Sequence, residues 1–185
     1  MVDIDTPSRF NLPLIALHWL TLIMLALAYA TSELREVFPK GSAGREGMMN
    51  LHVMLGLIVF GIAWLRLLVR MFSATPAVRP APPPWQETLA KLAHVALYGL
   101  MLLLPLTGWL MLSADGKPVD VVGWPLPALI NPNKSIADGL EDVHEALASA
   151  GYALIGLHAA AALFHHYVLG DNALRLMLPG FRRAS

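Results

Sequence analysis

Four long stretches of this chain carry no charged side chain: Leu12 to Thr31, Met48 to Leu65, Leu92 to Ala114 and Ala146 to Gly170. Each reaches the roughly 18–20 apolar residues that an α-helix needs to cross about 30 Å of hydrocarbon at about 1.5 Å per residue. Backbone polar groups find no water in that layer, so only helices and closed barrels span it. Barrel strands are about 10 residues long and alternate in polarity, and these runs do neither. A buried soluble four-helix protein would show a polar face on each helix. The reading is therefore all-α: an integral membrane four-helix transmembrane bundle, one domain over residues 1–185, with spans at about 12–32, 48–69, 91–113 and 143–169. The first run is too long for a cleavable leader, opens at Pro13 and has no small-residue cleavage site before a polar domain, so it is expected to remain as the first helix.

Composition narrows the chemistry. Of 185 residues, 56% are hydrophobic and 14% charged, and Lys+Arg equals Asp+Glu at 13 each. Nucleic-acid binding needs a basic surplus that this chain lacks. Cysteine is absent, which removes disulfides, thiolate metal sites, iron–sulfur clusters and covalent haem attachment. Seven histidines remain as transition-metal ligands. There is no P-loop, no G-x-S-x-G elbow and no H-E-x-x-H pair, and no residue stands out as catalytic.

Three polar loops separate the runs. Ser32 to Gly47 is charged, Arg70 to Lys91 is Pro-rich, and Asp115 to Glu145 holds turn signals at Asp115-Gly116 and Asn131-Pro132; its end, Ile136 to Glu145, can open the last helix. Basic residues near span ends set orientation. Arg9, Arg66, Arg70, Arg79, Lys91, Arg175, Arg182 and Arg183 lie on the side of the termini, against Arg35, Lys40, Arg45, Lys117 and Lys134 on the other. That bias puts both termini in the cytoplasm. The outer loops are acidic in sum, with Asp115, Asp120, Asp138, Glu141, Asp142 and Glu145 in the third.

This orientation assigns each histidine a depth. His52 and His144 fall at the outer level, and His18, His94 and His158 at the inner one. His165 and His166 end the last helix, where solvation at the headgroups accounts for them. Between His144 and His158, fourteen residues at about 100° each fall about 40° short of four turns, so both rings leave nearly one face, about 21 Å apart. Such a helix can serve two stacked cofactors. Gly151 lies midway on that face, where a missing side chain would let a flat macrocycle approach. A haem iron held by two imidazoles takes one from each of two facing helices. At the outer level only His52 and His144 can pair; at the inner level His18, His94 and His158 compete for two positions. A transmembrane histidine can equally serve as a hydrogen-bonding residue between helices. The five tryptophans read as interfacial residues, and Met48, Met49, Met54 and Met111 as packing.

The same residues carry a family resemblance. His18-Trp19-Leu20, His52 with Gly56, Ala93-His94 with Leu97-Tyr98, and above all His144-Glu145-Ala146-Leu147 followed by Gly156-Leu157-His158 through Leu163 into His165-His166-Tyr167 make the chain resemble the bacterial cytochrome b561 family of four-helix di-haem membrane cytochromes. The resemblance spans nearly the whole chain. It implies two non-covalent haem b groups, each bis-His, with His18 and His158 on the inner iron and His52 and His144 on the outer. It also implies the activity of one branch: a superoxide:ubiquinone oxidoreductase of the inner membrane, with superoxide as donor and ubiquinone as acceptor among the membrane lipid. His165, about 20° off the His158 face and about 10 Å further on, is a candidate quinone contact, with His94 second. An alternative is an electron-transfer module that links a periplasmic redox protein to the quinone pool. If histidines hold haem here, the purified protein shows b-type bands in a reduced-minus-oxidised spectrum; a featureless spectrum would refute the haem reading.

Overall fold

The computed structural model describes residues 9–121 and 123–180; Arg182 and Arg183, counted above for orientation, lie outside it. Four helices dominate: α1 (Leu12–Leu34), α2 (Ala43–Met71), α3 (Pro84–Ala114) and α4 (Lys134–Tyr167). All four are long and apolar enough to cross a membrane. Their starts follow local chemistry. Asn11, Ser42 and Asn133 accept from the Leu14, Arg45 and Ile136 amides, at 3.0, 3.3 and 3.2 Å, satisfying first-turn donors that have no helical partner. Pro84 begins α3, where its missing N–H costs nothing. Helix α4 absorbs the polar stretch before the last apolar run, and α2 also begins before its run.

A short antiparallel hairpin, β1 (Val119–Val121) and β2 (Trp124–Leu126), interrupts the third loop. The turn signals in that loop predict no strands, and three-residue strands are too short to announce themselves by alternation. Gly123 takes φ +83° in the turn, and its amide donates to Asp120 Oδ1 at 2.6 Å. Val119 is buried where β1 lies against α2 and α3.

Helix α1 packs along α2, α2 meets α3, and α3 packs along α4. No comparable backbone packing joins α4 to α1 or α2. The apolar core follows this asymmetry. Val59, Ala63 and Met101 are buried together under Met24, Leu25, Tyr98 and Leu102, all from α1 to α3. In the 34-residue α4 only Ala137 and Gly151 are buried. Leu22, Ile23, Leu27, Leu157 and Leu163 stay exposed. Such a surface would be a liability in water, but in lipid it is the expected contact with acyl chains.

Two tyrosines bridge the space that backbone packing leaves between α1 and α4. Tyr29 of α1 reaches α4, where its hydroxyl donates to the Ala148 carbonyl at 3.0 Å and its ring lies 4.3 Å from that of Tyr152. The Tyr152 hydroxyl donates to Glu33 Oε1 at 2.8 Å. Gly151 is therefore not open to a cofactor, contrary to what its position on the helix face suggests. A Cβ there would collide with the Tyr29 hydroxyl and meet both Leu100 methyls at 3.3 Å. Gly151→Ala is expected to push Tyr29 off Ala148 and lower stability in detergent by about 1 kcal/mol, the net worth of such a bond. In a Tyr29→Phe background the same change should cost clearly less; additive losses in thermal unfolding would show that the collision does not matter.

Candidate haem centres

The histidines gather at two levels. On the side away from the termini, His52 of α2 faces His144 of α4, with ring centroids 6.2 Å apart. On the terminal side, His18 of α1 faces His158 of α4 at 6.3 Å. His94 of α3 approaches the same His158 ring at 5.6 Å. Two imidazoles bound on opposite sides of one metal, each through a bond of about 2 Å, bring their centroids to about 6 Å. Both facing pairs have that spacing.

The outer nitrogens of the first pair are already engaged. The His52 Nδ1–H donates to the Ala28 carbonyl at 2.9 Å. His144 Nδ1 lies 3.2 Å from Thr107 Oγ1, whose own hydroxyl donates to the Leu104 carbonyl at 2.9 Å. With its proton committed there, the Thr107 oxygen accepts from the His144 Nδ1–H. Both rings thus carry their proton on Nδ1 and keep Nε2 unprotonated, the tautomer that a ligating imidazole needs. Gly108 makes room for this: a Cβ there would sit 3.3 Å from His144 Cε1.

The terminal-side group is arranged differently. His18 Nδ1 lies 3.2 Å from Arg66 Nη2. Arginine only donates, so this nitrogen accepts, and the His18 proton sits on Nε2. Arg66 is buried at 9% exposure, with Nη1 3.4 Å from Thr21 Oγ1 and its guanidinium 5.4 Å from the Tyr98 ring centroid. In the sequence Arg66 reads only as a topological charge. Its place one helical turn short of Arg70, at the edge of an apolar run, was the available signal. His18 is half-buried, whereas His94 is exposed on α3.

Beyond the pairs, His165 Nδ1 meets Asp171 Oδ2 at 2.5 Å, and Asp171 is buried with its other oxygen accepting from the Ala173 amide at 2.9 Å. The C-terminal segment closes over this end. Trp19 Nε1 donates to the Met177 carbonyl at 2.8 Å, and Asn172 Oδ1 accepts from the Arg79 amide at 2.7 Å. His166 Nδ1 is buried without a partner among the described residues. At the opposite end, Arg35 and Arg45 pair with Glu36 at 3.1 and 2.7 Å, and Lys117 and Lys134 pair with Asp115 at 2.7 and 3.5 Å. The hydrogen bond and charge of Lys117, with help from Lys134, hold the Asp115 carboxyl below its ordinary range. Most basic charge on that face is thus neutralised locally.

These features fit haem. The donor set is imidazole at two levels, the facing rings have the separation of trans ligands, and α4 stands off from α1 and α2 along the face that carries them. A half-open apolar groove of about 190 Å³ also lies between α1 and α4, lined by Leu22, Leu25, Ala26, Tyr29, Tyr152 and Ile155 and by none of the histidines.

Comparison with known proteins agrees. Residues 9–180 match the family described as Prokaryotic cytochrome b561. The chain is 40% identical over 172 residues to cytochrome b561 homolog 1 of Escherichia coli (strain K12), covering 93% of this chain and 98% of that protein. It is 35% identical over 172 residues to the probable superoxide oxidase CybB of Yersinia pestis, covering 93% and 97%. Cytochrome b561 homolog 2 of E. coli is 30% identical over 175 residues, covering 94% and 93%. With four membrane-length helices, paired imidazoles and a match over nearly all its length, this chain belongs to the prokaryotic cytochrome b561 family of four-helix membrane cytochromes, whose cofactor is haem b.

Proposed function

We propose that this cytochrome holds two haem b groups and moves single electrons from superoxide to ubiquinone across the bacterial inner membrane, with both termini in the cytoplasm. The observation that carries the reading is the pair of facing imidazole couples that share α4, His52–His144 and His18–His158, at 6.2 and 6.3 Å. Kinship to a protein named probable superoxide oxidase, at 35% identity, supports the choice of donor.

In this reading His52 and His144 hold the outer iron and His18 and His158 the inner one. Bound haem b supplies one-electron redox chemistry at each level. The protein's part is to keep ligands neutral, exclude water and handle protons. Ala28 and Thr107 keep the outer imidazoles in the ligating tautomer. Two superoxide ions release two electrons and become dioxygen without proton transfer. Ubiquinone takes those two electrons together with two protons and becomes quinol, so its site needs a proton-handling group on the cytoplasmic side. His165 suits this role: Asp171 holds Nδ1, which leaves Nε2 to accept or pass on a proton. His94, exposed beside His158, is the second candidate contact.

The acidic outer face favours a second reading, an electron-transfer module that docks a basic periplasmic redox protein. Among the described residues no ion pair engages Asp120, Glu141, Asp142 or Glu145, so negative charge remains to attract a cation rather than superoxide.

Single substitutions read the ligand assignment. His52→Ala or His144→Ala should lose the outer haem and keep the inner, and His18→Ala or His158→Ala the reverse, measured by haem content and low-temperature spectra. A His18→Ala variant with both haems, beside a His94→Ala variant lacking one, would move the inner ligand to His94. Function is read by exposing the oxidised protein with ubiquinone to a superoxide flux. Quinol formation is expected, and His165→Ala should slow it while retaining both haems. Haem and quinone that stay oxidised would leave the docking module as the answer.

A further inference from the structure

Among the described residues Arg66 is a buried cation without an anion. Its Nε has no hydrogen-bond partner, its other nitrogens contact only the neutral groups of His18 and Thr21, and no carboxylate among the described residues pairs with it. Among the described residues the carboxylates at this end are taken: Glu87 pairs with Lys91, and Asp171 with His165. Arg70, one turn on, adds positive charge and also has a buried unpartnered nitrogen, Nη1. An unpaired charge in a membrane span is costly, and such residues find a partner.

The His18 contact cannot persist when His18 binds a metal. Ligation through Nε2 requires the proton on Nδ1, and Nδ1 then becomes a donor facing a donor. Arg66 must turn to another acceptor. A carboxylate is the one that also compensates its charge, and haem b brings two carboxylates as propionates.

We propose that Arg66 is the counter-cation of a propionate on the inner haem. This rests on His18 and His158 holding the inner iron. The cation also sets the inner potential. Reduction adds one negative charge to the site, which Arg66 stabilises, so the charge raises the tendency of the inner haem to be reduced.

Spectroelectrochemical titration of both haems tests this. Arg66→Gln should shift the reduction equilibrium of the inner haem at least tenfold towards the oxidised form, about 59 mV for one electron, and leave the outer haem unchanged. Arg66→Lys, which restores charge but not the fork, should return within about threefold of the wild type. After reconstitution with haem b dimethyl ester, which lacks the carboxylates, the Arg66→Gln shift should differ in size from the shift with natural haem, because the charge of Arg66 remains but its anionic partner does not. Equal potentials with natural haem would overturn the proposal. So would an Arg66→Gln shift of the same size with natural haem and with the ester, because Arg66 would then act independently of the propionates. If Arg66→Gln retains no inner haem, Arg66→Lys carries the measurement, and a tenfold shift there refutes the charge pairing. Failure of the ligand reading looks different: His18→Ala would keep the inner haem.

Discussion

In a hydrocarbon solvent an imidazole must satisfy both ring nitrogens from within the protein. Whichever nitrogen the backbone or a hydroxyl engages decides what the other can do. Ala28 takes the proton of His52, and Thr107, tied to Leu104, takes that of His144. Each ring then presents a lone pair towards its partner. The site depends on these second contacts as much as on the histidines themselves, and they explain why Gly108 stands beside His144, where a larger residue would press on the ring.

The packing asymmetry has the same root. If all four helices met closely, the facing rings would be squeezed together. Instead the core concentrates among α1, α2 and α3, and α4 stands off from α1 and α2, linked by tyrosine side chains rather than by backbone contact. A haem held between such rings would need a flat apolar space between them, and the stand-off of α4 from α1 and α2 would provide it. Tyr29 and Leu100 over Gly151 fill the interval between the two levels with protein.

The two levels differ in electrostatics. The rings of the couple away from the termini bond neutral groups, Ala28 and Thr107, and four basic residues at that face gather around Glu36 and Asp115. The terminal-side group carries Arg66 and, further out, the His165–Asp171 pair. Arg66 beside the terminal-side group makes the two levels electrostatically inequivalent.

Helix number, the exclusion of cysteine chemistry and the two histidine levels are legible from the chain, because apolar run length and the 100° helical step are local properties. Family membership is legible too, above all in the His158 to Tyr167 stretch. The hairpin at Val119–Leu126 is not, because three-residue strands leave little periodic signal. The helix face misleads at Gly151, since nothing local shows that Tyr29, distant in sequence, lies across it. Arg66 stands out in the chain only as a marker of topology, because its contact to His18 joins residues 48 apart. Run length and helical step alone set what crosses the membrane and at which depth each imidazole lies. Which nitrogen of each ring is left to act emerges only on folding, because that proton is placed by a partner on another helix.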